Sequence, residues 1–176
     1  MAVDIAAAIT AAGTAVIDGV MWSQTMKVST EVLIPASLSN VWGALVDFPR
    51  YRSWHPLVEI EGSAIEGADV EYYYRSNSEA PRGMSMNARI TKLEPAREMV
   101  MEFGVRGFAN IEERYRLVRE GSNVRLVHSA HLKGLLPLIG ARLFRKRLIE
   151  KFQLPIDRLA HHLASKKQTS RSGRQS

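Results

Sequence analysis

The sequence predicts an α+β fold in which a curved antiparallel sheet of seven strands wraps on one long C-terminal helix, with two short helices after the first strand. Three observations predict it. Hydrophobic alternation keeps a period of 2 through six consecutive segments between residues 57 and 133. Those segments are joined by short turns, and short connections demand antiparallel pairing. After Pro137 the period changes to that of a helix, with Leu148, Phe152, Ile156, Leu159 and Leu163 on one face.

Taken in order, residues 25–34 read as a strand of β-branched and apolar residues ending at Pro35. Ser37 offers an N-cap for a short helix whose apolar face is Leu38, Val41, Trp42, Leu45 and Val46. Pro49 restarts a helical turn carrying Tyr51 and Trp54, and Pro56 closes it. Strands follow at 57–65, 69–76, 84–93, 98–106, 109–119 and 123–133, with turns at Glu66-Gly67, Ala80 to Gly83, Glu94 to Ala96 and Gly121-Ser122. With the first strand they form a meander interrupted once by the two helices. Gly134 to Pro137 breaks the pattern, and the last helix runs from about 138 to about 164. Pro155 falls inside it, removes one hydrogen bond and predicts a kink.

A chain of 176 residues with 45% hydrophobic and 24% charged residues is one globular domain. It divides into an alanine-rich segment 1–24, the domain 25–165 and a basic, disordered tail 166–176. The net charge of +6 sits at one end. Lys166, Lys167, Arg171 and Arg174 supply four charges; Arg142, Arg145, Lys146, Arg147 and Lys151 against Glu150 supply another four. The rest nets −2, so no nucleic-acid surface is expected. There is no cysteine, which rules out disulfides and thiolate metal sites and fits a cytoplasmic location.

The first 22 residues imitate a signal or a membrane span, yet the first basic residue is Lys27, and Asp4 and Asp18 lie within the apolar run. Ile5, Ile9, Ala12, Val16 and Val20 recur at helical spacing, which predicts an amphipathic helix lying on the domain or on a partner. A strand contribution from Thr14 to Trp22 is the alternative.

A bent sheet closed by one helix leaves space between them. The inward faces by alternation carry Val58, Ile60, Gly62 and Ala64; then Val70, Tyr72 and Tyr74; then Met84, Met86, Ala88 and Ile90. They continue with Met99, Met101, Phe103 and Val105, with Ala109, Ile111, Glu113, Tyr115 and Leu117, and with Val124, Leu126, His128, Ala130 and Leu132. Four methionines on adjacent strands suit a surface that adapts to a guest, although methionine also fills ordinary core gaps.

The run Ile34-Pro35-Ala36-Ser37 to Val41-Trp42, followed by Leu45, Asp47, Tyr51, Trp54 and Pro56, resembles the opening of the START-like superfamily (Bet v 1-like, SRPBCC, helix-grip). Within it, the chain is most similar to the polyketide cyclase/dehydrase and lipid-transport group, over about residues 25–165. The resemblance implies a deep cavity beneath the terminal helix, entered near the short helices and the loop before that helix. The N-terminal extension, Pro155 and the basic tail depart from the family pattern. A fold of this kind does not fix a chemistry.

Glu113 and His128 stand out as polar residues on apolar faces. If Gly121-Ser122 is the turn, His128 lies opposite Tyr115; if Glu120-Gly121 is the turn, it faces Glu113. Either register keeps the three in direct or diagonal contact. A carboxylate beside an imidazole in a low-dielectric interior is a tuned acid/base pair, or else a buried pair that only satisfies itself. Glu113, His128 and Tyr115 are therefore the catalytic candidates. They join Trp42, Trp54, Tyr72 and Tyr74 as ligand-binding candidates, and Met86, Met101, Phe103 and Phe152 supply apolar contacts. His55 lies at the inferred mouth, where it either contacts ligand or, as expected of a histidine beside a turn proline, sits at the surface.

His131, His161 and His162 lack partners at ligand spacing, so no metal site is expected, nor any cofactor. There is no Gly-rich phosphate loop and no serine nucleophile elbow. The lip Leu135 to Gly140, with the basic residues of 142–151 and the tail, is a candidate contact with anionic membrane, peripheral to an otherwise cytoplasmic protein. Three functions are in competition: a carrier, store or sensor of a hydrophobic molecule; a cyclase or dehydratase using Glu113, His128 and a tyrosine; and a docking module for a membrane or protein.

Overall fold

Strand β1 (Thr25–Ile34) alternates exposed with buried residues and sends Val28, Thr30 and Ile34 inward. Pro35 ends it, and the Ser37 side chain then accepts a hydrogen bond from Asn40 N at 3.2 Å, capping helix α1 (Leu38–Val46). Val41 and Leu45 are the buried ridge of α1. A 3-10 helix (Phe48–Ser53) follows with Pro49 in its first turn, and it buries Phe48 and Tyr51. The computed structural model describes residues 25–75, 79, 81, 83–105, 109–134 and 149–166. The predicted N-terminal helix 1–24, the apolar lip 135–140, the basic residues 142–147 and the tail beyond 166 lie outside the described residues.

Six more strands complete one antiparallel sheet: β2 (Val58–Glu61), β3 (Asp69–Tyr74), β4 (Ser85–Glu94), β5 (Glu98–Val105), β6 (Ala109–Glu120) and β7 (Asn123–Gly134). The spatial order is β1-β7-β6-β5-β4-β3-β2. Strands β2 to β7 form the predicted meander, but β1 does not begin it. It pairs instead with β7, from Thr25 opposite Lys133 to Ile34 opposite Val124. The chain from 35 to 57 must therefore travel from one edge of the curved sheet to the other. That span is why the two short helices close one end of the interior.

The other differences are local. β2 stops at Glu61 rather than near 65, because Gly62 has φ +129° and leaves the ladder. β3 stops at Tyr74, one pair before the Arg75 N–H donates to the Leu57 carbonyl at 2.7 Å in the same register. Between Ile90 and Lys92 the register of β4 against β5 shifts, so the inward set passes from Ala88 and Ile90 to Leu93, opposite Met99. Met84 was placed inward by alternation, but it precedes β4 and is 37% exposed.

Helix α2 covers 149–166 and continues through Pro155. It lays Ile156, Leu159 and Leu163 on the same core as Ile34, Leu45, Tyr51, Tyr72, Met99, Met101, Tyr115 and Leu126. Each large apolar side chain fully buried here stabilises the fold by about 1.5–3 kcal/mol. A buried ion pair of Arg75 with Glu59, joined by Arg52 at 3.5 Å, fastens the 3-10 helix to the β2 edge.

Gly62 and Gly43 provide a paired test of this geometry. A Cβ at Gly62 would stand 2.8 Å from Val70 Cγ1, on a backbone that side-chain-bearing residues rarely adopt. A Cβ at Gly43, within α1, would meet nothing within 4 Å. Gly62→Ala is expected to lower urea-unfolding stability by about 2 kcal/mol, and Gly43→Ala to raise it by about 0.5–1 kcal/mol.

Candidate functional site

The β6–β7 hairpin turns at Gly121-Ser122, with Glu120 opposite Asn123 and Gly121 at φ +59°. Of the two open registers, this places Tyr115 opposite His128. Their rings stack 4.3 Å apart and nearly parallel. Glu113, two residues before Tyr115 on the same face, lies opposite Ala130, whose small side chain leaves the carboxylate room to lean toward the histidine. Glu113 Oε1 stands 2.7 Å from His128 Nε2 and accepts a hydrogen bond from the Tyr115 hydroxyl at 3.0 Å. The pair is deeply buried, with Glu113 3% and His128 2% exposed.

The third partner comes from the helix. His128 Nδ1 lies 3.2 Å from the Phe152 carbonyl oxygen, which also accepts from Thr30 Oγ1 at 3.4 Å, and the Phe152 ring is 4.7 Å from the imidazole. A carbonyl can only accept, so Nδ1 carries a proton. Phe152 lies in the turn that Pro155 loosens, since proline has no N–H for the Lys151 carbonyl.

Burial alone would raise the Glu113 carboxyl. The His128 hydrogen bond and charge outweigh that effect, with help from His55 and Tyr115, and hold it below the ordinary carboxylate range. Ionised Glu113 can only accept, so His128 Nε2 donates to it. Burial first, and the Glu113 charge second, push the hydroxyls of Tyr51, Tyr72 and Tyr115 well above the usual phenol range. All three stay neutral donors.

The 3-10 helix and the turn after it bring to this cluster Tyr51, which the sequence did not single out as a site residue, together with Trp54 and His55. Tyr51 is 1% exposed, its ring 4.6 Å from that of Trp54 and 5.8 Å from that of His55. His55 is not the expected surface residue; it is 4% exposed. The reason is the loop that follows, because its Nδ1 accepts from the backbone N–H groups of Leu57 at 3.3 Å and Val58 at 3.0 Å. That fixes the proton on Nε2 and the neutral form. Burial lowers its pKa to about 3, against a smaller upward pull from Glu113. A spacing signal existed for both residues: Tyr51, Trp54 and His55 lie three and four residues apart on one helical face.

The other candidates divide. Tyr72 faces Glu113 and stacks on Phe103 at 4.8 Å, while Met101 lies opposite Glu113 and Met86 opposite Tyr72. Tyr74 accepts a hydrogen bond from Lys151 Nζ at 2.8 Å, so Lys151 reaches across to the sheet. Trp42 is half-buried against the core, and no contact links it to the Glu113 cluster. An open groove of about 1190 Å³ lies elsewhere, between α1, the β6–β7 turn and the end of α2, and is lined by none of the candidates. Among the described residues, no three His, Asp or Glu side chains are grouped to hold a metal, and no helix is long and apolar enough to cross a membrane.

Three buried polar atoms have no hydrogen-bond partner among the described residues and belong to this cluster: Tyr51 Oη, Trp54 Nε1 and Glu113 Oε2. Each is costly if it stays unsatisfied, by about 1–3 kcal/mol.

His55 gives the fold an acid limit. Its folded pKa lies below its unfolded value near 6.5. As pH falls from 6.5 toward 3, the unfolded chain takes a proton that the folded one refuses, and stability drops. Glu113 acts in the same direction, losing its contribution as pH falls below its unfolded value. Urea unfolding should show about 2 kcal/mol lost to His55 between pH 6.5 and 5. That share should vanish in His55→Asn, which offers an acceptor to the same loop and does not titrate.

Comparison with known proteins bears on the fold and the family. The protein of unknown function SA2116 from Staphylococcus aureus superposes with TM-score 0.67 at 13% identity, covering 84% of this chain and 98% of its own. Ara h 8.0201 gives 0.58 at 11%, covering 81% and 99%. DynU16, from the dynemicin biosynthetic locus, gives 0.59 at 17%, covering 78% of this chain and 47% of its own. No curated protein sequence matches the chain. The family model for polyketide cyclase / dehydrase and lipid transport matches residues 25–165, the stretch that carries the sheet, the short helices and α2. The chain belongs to that family.

Proposed function

We propose that this protein binds a hydrophobic small molecule between the sheet and α2, for transport, storage or sensing. The observation that carries the reading is the set of unpartnered polar atoms on Tyr51, Trp54 and Glu113, buried within an otherwise apolar interior. A folded core normally satisfies nearly all its polar groups, so three orphans in one cluster favour a guest that supplies the missing partners. Met101 and Phe103 beside them, and Phe152 on the helix, offer apolar contacts to its body. Family membership and the Bet v 1-like neighbour add support for a hydrophobic ligand.

A second reading rests on the 2.7 Å Glu113–His128 contact. A carboxylate that is held ionised in an apolar site beside a tyrosine hydroxyl can accept a proton from a carbon acid while the hydroxyl steadies the developing oxyanion. That is the chemistry of a cyclase or dehydratase. The buried pair also explains itself as structure, because it joins β6, β7 and α2.

Native mass spectrometry of protein purified from its own host, with organic extraction of what it carries, tests the first reading. A co-purifying apolar compound is the expected result; an empty protein that takes up no hydrophobic probe would overturn it. The second reading expects Glu113→Gln and His128→Ala to lose turnover at least about a hundredfold while still binding substrate. Turnover unchanged in both variants would exclude it.

A further inference from the structure

Resting on the ligand-binding reading, we infer that the interior selects a neutral, hydroxyl-bearing apolar guest and rejects one that carries a carboxylate. The inference comes from what each orphan atom can do. Glu113 Oε2 can only accept, Trp54 Nε1–H can only donate, and the Tyr51 hydroxyl can do either. One hydroxyl group meets that pattern, donating to Glu113 Oε2 while accepting from Tyr51 or Trp54. A hydrocarbon leaves all three atoms unsatisfied.

Charge decides against an anion. The cluster holds one carboxylate, and its counter-charge is already spent: His128 Nε2 is committed to Glu113 Oε1 and His128 Nδ1 to the Phe152 carbonyl. His55 is neutral, with its Nδ1 occupied by two backbone N–H groups. Lys151, the cation nearest the interior on α2, donates to Tyr74. A second carboxylate placed here would lie beside Glu113 in a low-dielectric interior, and none of the cations just named among the described residues is free to balance it. The neutral tyrosine hydroxyls would soften this penalty without supplying a charge.

The test compares three probes on one ring system, naphthalene, 2-naphthol and 2-naphthoate, by equilibrium dialysis against the full chain at pH 7. 2-Naphthol should bind at least about tenfold tighter than either of the others, the size of effect expected for a hydrogen bond to a charged group. Tyr51→Phe removes a hydroxyl that no described residue bonds, so it should fold normally and narrow the gap between naphthol and naphthalene. Glu113→Gln removes the repelling charge and should raise naphthoate binding toward that of naphthol. If naphthol and naphthalene bind alike, or naphthoate binds as tightly as naphthol, the inference fails while the hydrophobic-ligand reading stands. If none of the three binds, both fail.

Discussion

The rest of the interior is arranged around the contact between Glu113 and His128. It is made by two neighbouring strands and tied to α2 through the Phe152 carbonyl, with Thr30 of β1 on the same oxygen. Three strands and the helix therefore meet at one imidazole. Buried charges are tolerated only when paired and hydrogen-bonded, and removing either member strands the other at a cost of about 3–5 kcal/mol. The pair thus fixes where α2 lies over the sheet as much as it fixes its own protonation. Pro155 fits this arrangement, since it loosens the helical turn whose carbonyl the histidine uses.

The second constraint is the path of the chain. Because β1 pairs with β7, residues 35–57 must cross from one edge of the sheet to the other. The crossing carries Tyr51, Trp54 and His55 into the interior and sets them against the Glu113 cluster. The result is an asymmetric interior, with the ion pair from β6 and β7, hydroxyls from Tyr51, Tyr115 and Tyr72 of β3, and thioethers and aromatic rings from β3, β4 and β5. Under the proposed ligand-binding function, such an asymmetry would orient a guest as well as enclose it. The open groove near α1 lacks these groups, so size alone does not mark the site. Relatives of the same shape at 11–17% identity carry different descriptions, which agrees with function residing in the lining rather than in the fold.

Much of this was legible in the sequence because it is local. Alternation placed six strands within a few residues of their ends, Ser37 marked the start of α1, and the turn residues Gly121-Ser122 gave one of the two registers considered. Glu113, Tyr115 and His128 could be paired because adjacent strands in a hairpin leave few alternatives. The misses share a different origin. A strand's pattern does not say which edge it joins, so the β1–β7 pairing was invisible. A glycine with positive φ and a one-residue bulge interrupt alternation without changing composition, which is why β2 ran long and Leu93 was missing from the inward set of β4. Burial of His55 depends on two backbone N–H groups finding its ring after the chain has turned, and the orphaned hydroxyl of Tyr51 exists only once the crossing is packed. The sequence by itself determined the elements, their periodicity and the acid–histidine pair, because those follow from local pattern and from the pairing within a single hairpin. Only the tertiary structure decided which edge β1 takes and what lines the interior, because both depend on contacts between residues far apart in the chain.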